Sequence, residues 1–227
     1  MAMIEAEHLR KHYRSGDARV MALDDVCLTI EAGAFVVLAG RSGSGKTTLL
    51  NMLGALDRPD AGALRIAGHD LLAMNADERA AFRLHHLGFV FQAYNLIRVL
   101  SARENVAYVL QLRGMGRRER LSLADHWLAE VGLAEFADRR PDQMSGGQQQ
   151  RVAVARALAA KPDLVLADEP TANLDSHTGA ELIDLMRHLN EREGTTFVIA
   201  SHDPAVIASA RMLVTMQDGR IVSLEER

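Results

Sequence analysis

Cysteine is almost missing: Cys27 stands alone among 227 residues, so no internal disulfide can form. A reducing compartment is the expected setting. Basic charge is not in excess either, with 26 Lys and Arg against 30 Asp and Glu, a formal net charge of −4. Chains that live on nucleic acid carry a basic surplus, so no nucleic-acid partner is expected. The opening residues, MAMIEAEHLRKHY, have no apolar core of the kind a signal peptide needs. No stretch approaches 18 uncharged apolar residues, so nothing is expected to span a bilayer. A membrane part, if there is one, must then come from another chain. There is no fixed-period repeat, no low-complexity segment and no linker long enough to divide the chain. With 48% hydrophobic residues there is ample material for a core, which excludes global disorder.

The first thirty residues read as strands, with Val26, Leu28 and Ile30 alternating with Cys27 and Thr29. Phe35–Ala39, Leu164–Ala167 and Phe197–Ala200 are continuous apolar runs, which suit strands buried on both faces of a parallel sheet. Each run empties into polar residues: GRSGSGKTT, DEP and SHD. Ligands of open α/β sheets bind beyond the carboxyl ends of the strands. Lys46, Asp168, Glu169 and His202 are therefore expected along one rim, with Gln92 joining them from the shorter run GFVFQ. Between Gln92 and Ser145 the pattern turns helical. Ser101 with Glu104 forms a capping box, and Leu121, Ala124, Leu128 and Val131 share a face that ends at Gly132. Further helices are expected from Ser145 to about Ala159 and along Leu182, Leu185, Met186 and Leu189. Asp218–Gly219 marks a terminal hairpin.

Residues 40 to 47, GRSGSGKT, match G-x-x-x-x-G-K-[ST]. Gly40, Gly43 and Gly45 allow a tight turn that aims backbone N–H groups inward. A helix beginning near Lys46 adds its positive dipole end. Lys46 supplies a mobile charge to phosphate, and the Thr47 hydroxyl can ligate Mg2+. Ser42 and Thr48 complete the candidate nucleotide-binding loop. Asp168 at a strand end can hold the metal's water shell, and Glu169 beside it can polarise a water. A strand ending in two acids is common by itself; its pairing with the loop gives it weight.

Residues 144 to 151 read MSGGQQQR. Ser145 with Gln148 makes an S-x-x-Q capping box, and Gly146 and Gly147 expose N–H groups at a helix start. Together with GRSGSGKTT and LVLADEP, this resembles the ATP-binding cassette family, the motor subunits of ABC transporters, over nearly the whole chain. The resemblance implies an α/β fold: a P-loop NTPase core with a mainly parallel sheet, an N-terminal antiparallel β-subdomain and an inserted α-helical subdomain. Residues 1–91 and 160–227 would form the core with its β-subdomain, and about 92–159 the helical subdomain. It implies ATP and Mg2+ as ligands, and a homodimer in which Ser145, Gly146, Gly147 and Gln148 of one copy meet the nucleotide of the other. Tyr13 stands where an aromatic stacks on adenine, although a packing role within its strand stays open. Gln92 matches the glutamine that touches metal or water and signals to the membrane subunit. Asp168 and Thr47 match the metal-linked pair, and Glu169 and His202 the catalytic carboxylate and the γ-phosphate switch. Asn173–Leu174–Asp175 match a loop that crosses the dimer interface. Two residues depart from the pattern: Met144 replaces a leucine, and Ala172 a glycine, which matters if that turn needs a positive φ.

FVFQAYNLIRVLSARENV and LADEPTANLDSHTGAELIDLM are similar to the lipoprotein-releasing and macrolide-exporting branch. There, separate transmembrane permease subunits are driven from the cytoplasmic face of the inner membrane. Alternatives are a regulatory cassette of the cell-division type and a soluble non-transport cassette; the short span from Gln92 to Ser145, without heptads, argues against a coiled-coil machine. Leu96, Ile97, Val99 and Leu100, just past Gln92, are either core or a docking surface for a membrane subunit. Arg113, Arg117, Arg118 and Arg120 read as a solvated helix face, His85–His86 as no metal site, and Cys27 as a small buried residue.

Overall fold

A computed structural model describes residues 1–16 and 18–227. Two sheets organise the chain. Ala2–Ser15 (β1), Ala18–Glu31 (β2), Ala61–Ile66 (β4) and His69–Asp70 (β5) form an antiparallel sheet in the order β2-β1-β4-β5. Phe35–Ala39 (β3), Leu87–Phe91 (β6), Leu164–Asp168 (β7), Thr196–Ser201 (β8), Met212–Gln217 (β9) and Arg220–Glu226 (β10) form the second, in the order β10-β9-β3-β8-β7-β6. Its pairs are parallel except β9–β10, the hairpin turned by Asp218 (φ 49) and Gly219 (φ 78). Two left-handed residues in succession are what a tight hairpin turn demands.

Strand β3 is buried at every position, and its pleat divides the interior. Phe35, Val37 and Ala39 face a cluster that holds the helical residues, while Val36 and Leu38 face one shared with β1, β2 and β4. The first cluster gathers Ala102–Leu112 (α3), Arg117–Glu130 (α4), Gly146–Ala159 (α5) and Ser176–Glu193 (α6). The second gathers Lys46–Leu53 (α1), whose Leu49, Leu50, Met52 and Leu53 are buried, and Phe82 of Ala76–His86 (α2). A short helix, Pro204–Ala208 (α7), follows β8.

The capping box of α3 forms as expected, Ser101 with Glu104. In α4, Ala124 and Leu128 are buried as the spacing predicts, Leu121 is half-buried against the same core, and Val131 at the helix's carboxyl cap is buried, as is Trp127. The indole N–H of Trp127 has no hydrogen-bond partner among the described residues. That costs about 1–3 kcal/mol. Burying the ring, on the order of 200 Å2 at about 25 cal/mol per Å2, gains about 5 kcal/mol and outweighs it.

Two residues lie elsewhere than their sequence suggests. Cys27 is exposed on the β1–β2 sheet, where its Sγ accepts the His8 N–H at 3.2 Å. Its odd position alternates with the buried Val26 and Leu28, which puts it on the solvent side. Arg113 is not part of a solvated face. Its guanidinium donates to the carbonyls of Leu84, at 2.9 Å, His85, at 2.8 Å, and Ala160. It thereby closes the carboxyl ends of α2 and α5, where cations are favoured. Arg117, Arg118 and Arg120 belong to the first two turns of α4, and Arg120 folds back onto the Met115 carbonyl at 3.2 Å.

Candidate functional site

Strands β3, β6, β7 and β8 deliver their carboxyl ends to one rim. There a cleft of about 450 Å3 is lined by Ser42 through Thr48, Gln92, Asp168, Glu169, Ala172 and His202. Val20, Met21 and Ala22 of β2 form its apolar wall. A larger space of about 580 Å3 between α3 and α4 is lined by charged surface groups such as Arg103, Glu104 and Asp138 and has no glycine-rich loop.

The loop wraps tightly because two positions admit no side chain. A Cβ at Gly40 would lie 2.4 Å from the Met216 carbonyl oxygen, and one at Gly45 2.7 Å from that of Ala22. Gly45 caps α1 at φ 102, and the helix takes no side-chain cap among the described residues. The first-turn N–H groups of α1 are thus left for an anion. Lys46 is 6% exposed and donates to the carbonyls of Gly40 at 2.6 Å and Arg41 at 3.2 Å. An ammonium has three donors, so one remains for a phosphate oxygen. Ser44 Oγ is buried with no partner among the described residues, against the same loop.

Thr47 donates its hydroxyl to Asp168 Oδ1 at 3.3 Å. Burial raises Asp168 above the usual carboxylate range, with Thr47 and Lys46 pulling it back. A hydroxyl, a carboxylate and the Gln92 amide facing one cleft are hard oxygen donors, the kind Mg2+ takes. Among the described residues no group of three His, Cys, Asp or Glu could hold a metal by itself. An ion here would complete its shell with water and phosphate oxygens, which is the habit of Mg2+.

Glu169 sits at φ 46, a left-handed backbone that a non-glycine residue adopts at a cost of about 1–3 kcal/mol. Its N–H is held by the Ala200 carbonyl at 2.9 Å. The carboxylate accepts from His202 Nδ1 at 2.8 Å and from Ser201 Oγ at 3.2 Å. Its side chain is 17% exposed against 67% for His202, so the glutamate is fixed and the imidazole reaches outward. Ser201 is a member of this site that the sequence reading does not include. The one signal for it is a hydroxyl directly before His202 at the end of a buried strand.

Gln92 is tied to its neighbours through its backbone: Asn173 Nδ2 donates to its carbonyl at 2.9 Å. Tyr94 and Asn95, just beyond, are both left-handed, at φ 60 and 49. Arg156 of α5 donates to both their carbonyls, at 3.0 and 2.5 Å. Burial lowers the Arg156 guanidinium from its ordinary range.

The remaining sequence-predicted residues lie apart. Ser145 caps α5 with Gln148 as expected, its Oγ accepting the Gln148 N–H at 3.3 Å. None of Ser145, Gly146, Gly147 and Gln148 lines the cleft. Gly40 and Tyr13 do not line the cleft either; Tyr13 is 40% exposed, its phenol donating to Asp57. Met144 is buried in the core as its leucine-like volume predicts, and Ala172 stays out of the left-handed region, so that turn needs no glycine. His86 pairs with Asp163 at 2.7 Å.

The family model described as ABC transporter matches residues 23–172. The macrolide export ATP-binding/permease protein MacB of Rhodopseudomonas palustris (strain HaA2) is 46% identical over 220 residues, 97% of this chain and 34% of that protein. MacB of Syntrophobacter fumaroxidans is 48% identical over 226 residues, 97% of this chain and 31% of that one. This chain thus spans about a third of the length of these curated relatives. The dimeric post-hydrolysis structure of the ATP-binding cassette MJ0796 bound to ADP and Pi matches with a TM-score of 0.91 and 40% identity, covering 99% of this chain and 98% of that one. The chain belongs to the ABC transporter family and is an ATPase cassette of it.

Proposed function

We propose that this chain is the ATP-hydrolysing motor of a transporter of the macrolide-export and lipoprotein-release type, working as a homodimer on separate membrane subunits. One observation carries the dimer. The cleft gathers the loop, Gln92, Asp168, Glu169 and His202, yet the capped Ser145–Gln148 segment lies outside it. A second copy related by a two-fold axis can bring that segment's open N–H groups to the γ-phosphate, and each copy would serve both sites. The dimeric cassette structure at a TM-score of 0.91 supports this reading.

In this reading Lys46 and the first turn of α1 bind the β- and γ-phosphates. Thr47, Gln92 and Asp168 hold Mg2+, which when bound supplies positive charge to the phosphate oxygens. Glu169 orients and polarises the attacking water, while His202, held by Glu169, contacts the γ-phosphate. Tyr13 offers its ring to the adenine. Residues 92–159 act as a helical unit moving against the core formed by residues 1–91 and 160–227.

No helix among the described residues is long and apolar enough to cross a membrane. We place the chain at the cytoplasmic face, held there by its permease partners. The docking segment is residues 94–100. Leu96 packs partly against the core, and Val99 is 73% exposed. Val99 is therefore the residue to test: Val99→Asp should release the membrane chains that copurify from gently solubilised membranes while leaving the melting temperature unchanged. Retention of those chains would remove the segment from the interface.

The dimer is tested in a hydrolysis-deficient background. Light scattering after size exclusion should show monomer alone and dimer with ATP and Mg2+. Adding Ser145→Arg should abolish the dimer and leave ATP binding by a single copy intact. A nucleotide-independent monomer in the parent would overturn the shared site.

A further inference from the structure

Asp57 lies in the loop after α1, and Tyr13 near the end of β1, 44 residues earlier. The Tyr13 phenol donates to Asp57 Oδ2 at 2.8 Å. Lys11, on the same face of β1 two residues before, donates to Asp57 Oδ1 at 2.7 Å and to the Arg58 carbonyl at 2.6 Å. The Lys11 side chain is 11% exposed, and its ammonium stands over the Tyr13 ring, 5.2 Å from the centroid. The Arg58 N–H also donates to Asp57 Oδ1, at 2.7 Å, and the Asp57 N–H reaches the Asn51 carbonyl of α1 at 3.3 Å. Burial opposes the charge on Asp57. The hydrogen bonds from Lys11, Arg58 and Tyr13 outweigh it and hold the carboxyl below its usual range. Asp57 is thus a fixed anion with an acceptor for each of three donors.

We propose that Asp57, backed by Lys11, is a positioning residue for the nucleobase, setting the tilt and height of the Tyr13 ring. The inference rests on the reading of Tyr13 as the base platform. A ring near the end of a strand, 40% exposed, is held only in part by packing. The carboxylate supplies that hold at the phenol, and the Lys11 ammonium lies over one ring face, leaving the other to stack. The same loop hangs from Asn51 of α1, the helix whose first turn faces the phosphates. Asp57 therefore joins the base platform, through its carboxylate, to the phosphate-binding helix, through its backbone N–H, and fixes the span between them.

The test compares ATP with inorganic tripolyphosphate, each with Mg2+, by titration calorimetry on the full chain carrying Glu169→Gln. Tyr13→Phe keeps the ring and removes the tether. It and Asp57→Ala should each weaken ATP about fivefold, the scale of one well-placed aromatic contact. Tripolyphosphate affinity should not move. The double variant should be no weaker than either single one, because both remove the same link. Asp57→Asn should restore most of the loss, since its amide can donate to the phenol oxygen while its carbonyl accepts from Lys11. Parent-like ATP affinity in Tyr13→Phe would overturn the proposal, as would an equal loss for ATP and tripolyphosphate in Asp57→Ala. Should Asp57→Ala unfold, Tyr13→Phe carries the test alone, because it leaves the Lys11–Asp57 pair intact. Tyr13→Ala separates the base platform from its tether. A loss of about tenfold or more confined to ATP supports the platform, and no loss removes the platform itself.

Discussion

Glu169→Gln is expected to cut ATP turnover about a hundredfold or more, about 3 kcal/mol of barrier, with ATP affinity nearly unchanged. The substitution is close to isosteric at a crowded point. Glu169 accepts from His202 and Ser201, and a glutamine can keep the first contact through its carbonyl and reverse the second through its amide. What it loses is the negative charge that, in the proposed mechanism, polarises the water. The left-handed backbone at φ 46 stays as it is, because the Ala200 carbonyl holds the N–H in both forms. Single-turnover hydrolysis alongside ATP affinity separates chemistry from binding. A variant that turns over at near-parent rate would remove Glu169 as the principal carboxylate.

Lys46→Ala should fail in the opposite way, weakening ATP itself by about a hundredfold, the scale of a lost charge-assisted hydrogen bond at a buried site. The ammonium is 6% exposed and already anchored on the Gly40 and Arg41 carbonyls. In the proposed mechanism it would therefore reach a phosphate oxygen from a fixed point, with little side-chain entropy left to lose. Equilibrium binding of a fluorescent ATP analogue, with thermal unfolding to confirm the fold, measures this. Unchanged affinity would mean that the α1 N–H groups alone hold the phosphates.

The rim was legible in sequence because each of its parts announces itself locally. Phe35–Ala39, Leu164–Ala167 and Phe197–Ala200 read as buried strands from composition, and each hands its chemistry to the next residue. Ser101 with Glu104 and Ser145 with Gln148 mark helix starts by side-chain geometry that needs no tertiary context. The same rule applies to Asn75 with Glu78, which cap α2, although the sequence reading assigns no helix there. What escaped is what depends on distant partners. Arg113 reaches carbonyls 28 to 47 residues away, a role that a basic run in sequence does not encode. Cys27 follows from strand alternation that was in view, but its apolar chemistry pointed the other way. The Glu169–His202 contact joins two strand ends 33 residues apart. Both residues were expected at the rim, and their direct bond required the register of β7 against β8.

Arg156 has one further consequence. Its guanidinium is spent on the carbonyls of Tyr94 and Asn95, and the Asn173 amide holds the carbonyl of Gln92 close by. The backbone just past Gln92 is thus clipped to α5, the helix whose amino end is Ser145. A rotation of α5 then drags residues 94–95 with it rather than sliding past them. The Gln92 carbonyl itself stays tied to Asn173, outside α5, so the backbone bends between a glutamine held by the core and residues 94–95 held by the helix, and cutting the link at Arg156 would free the segment from α5 alone.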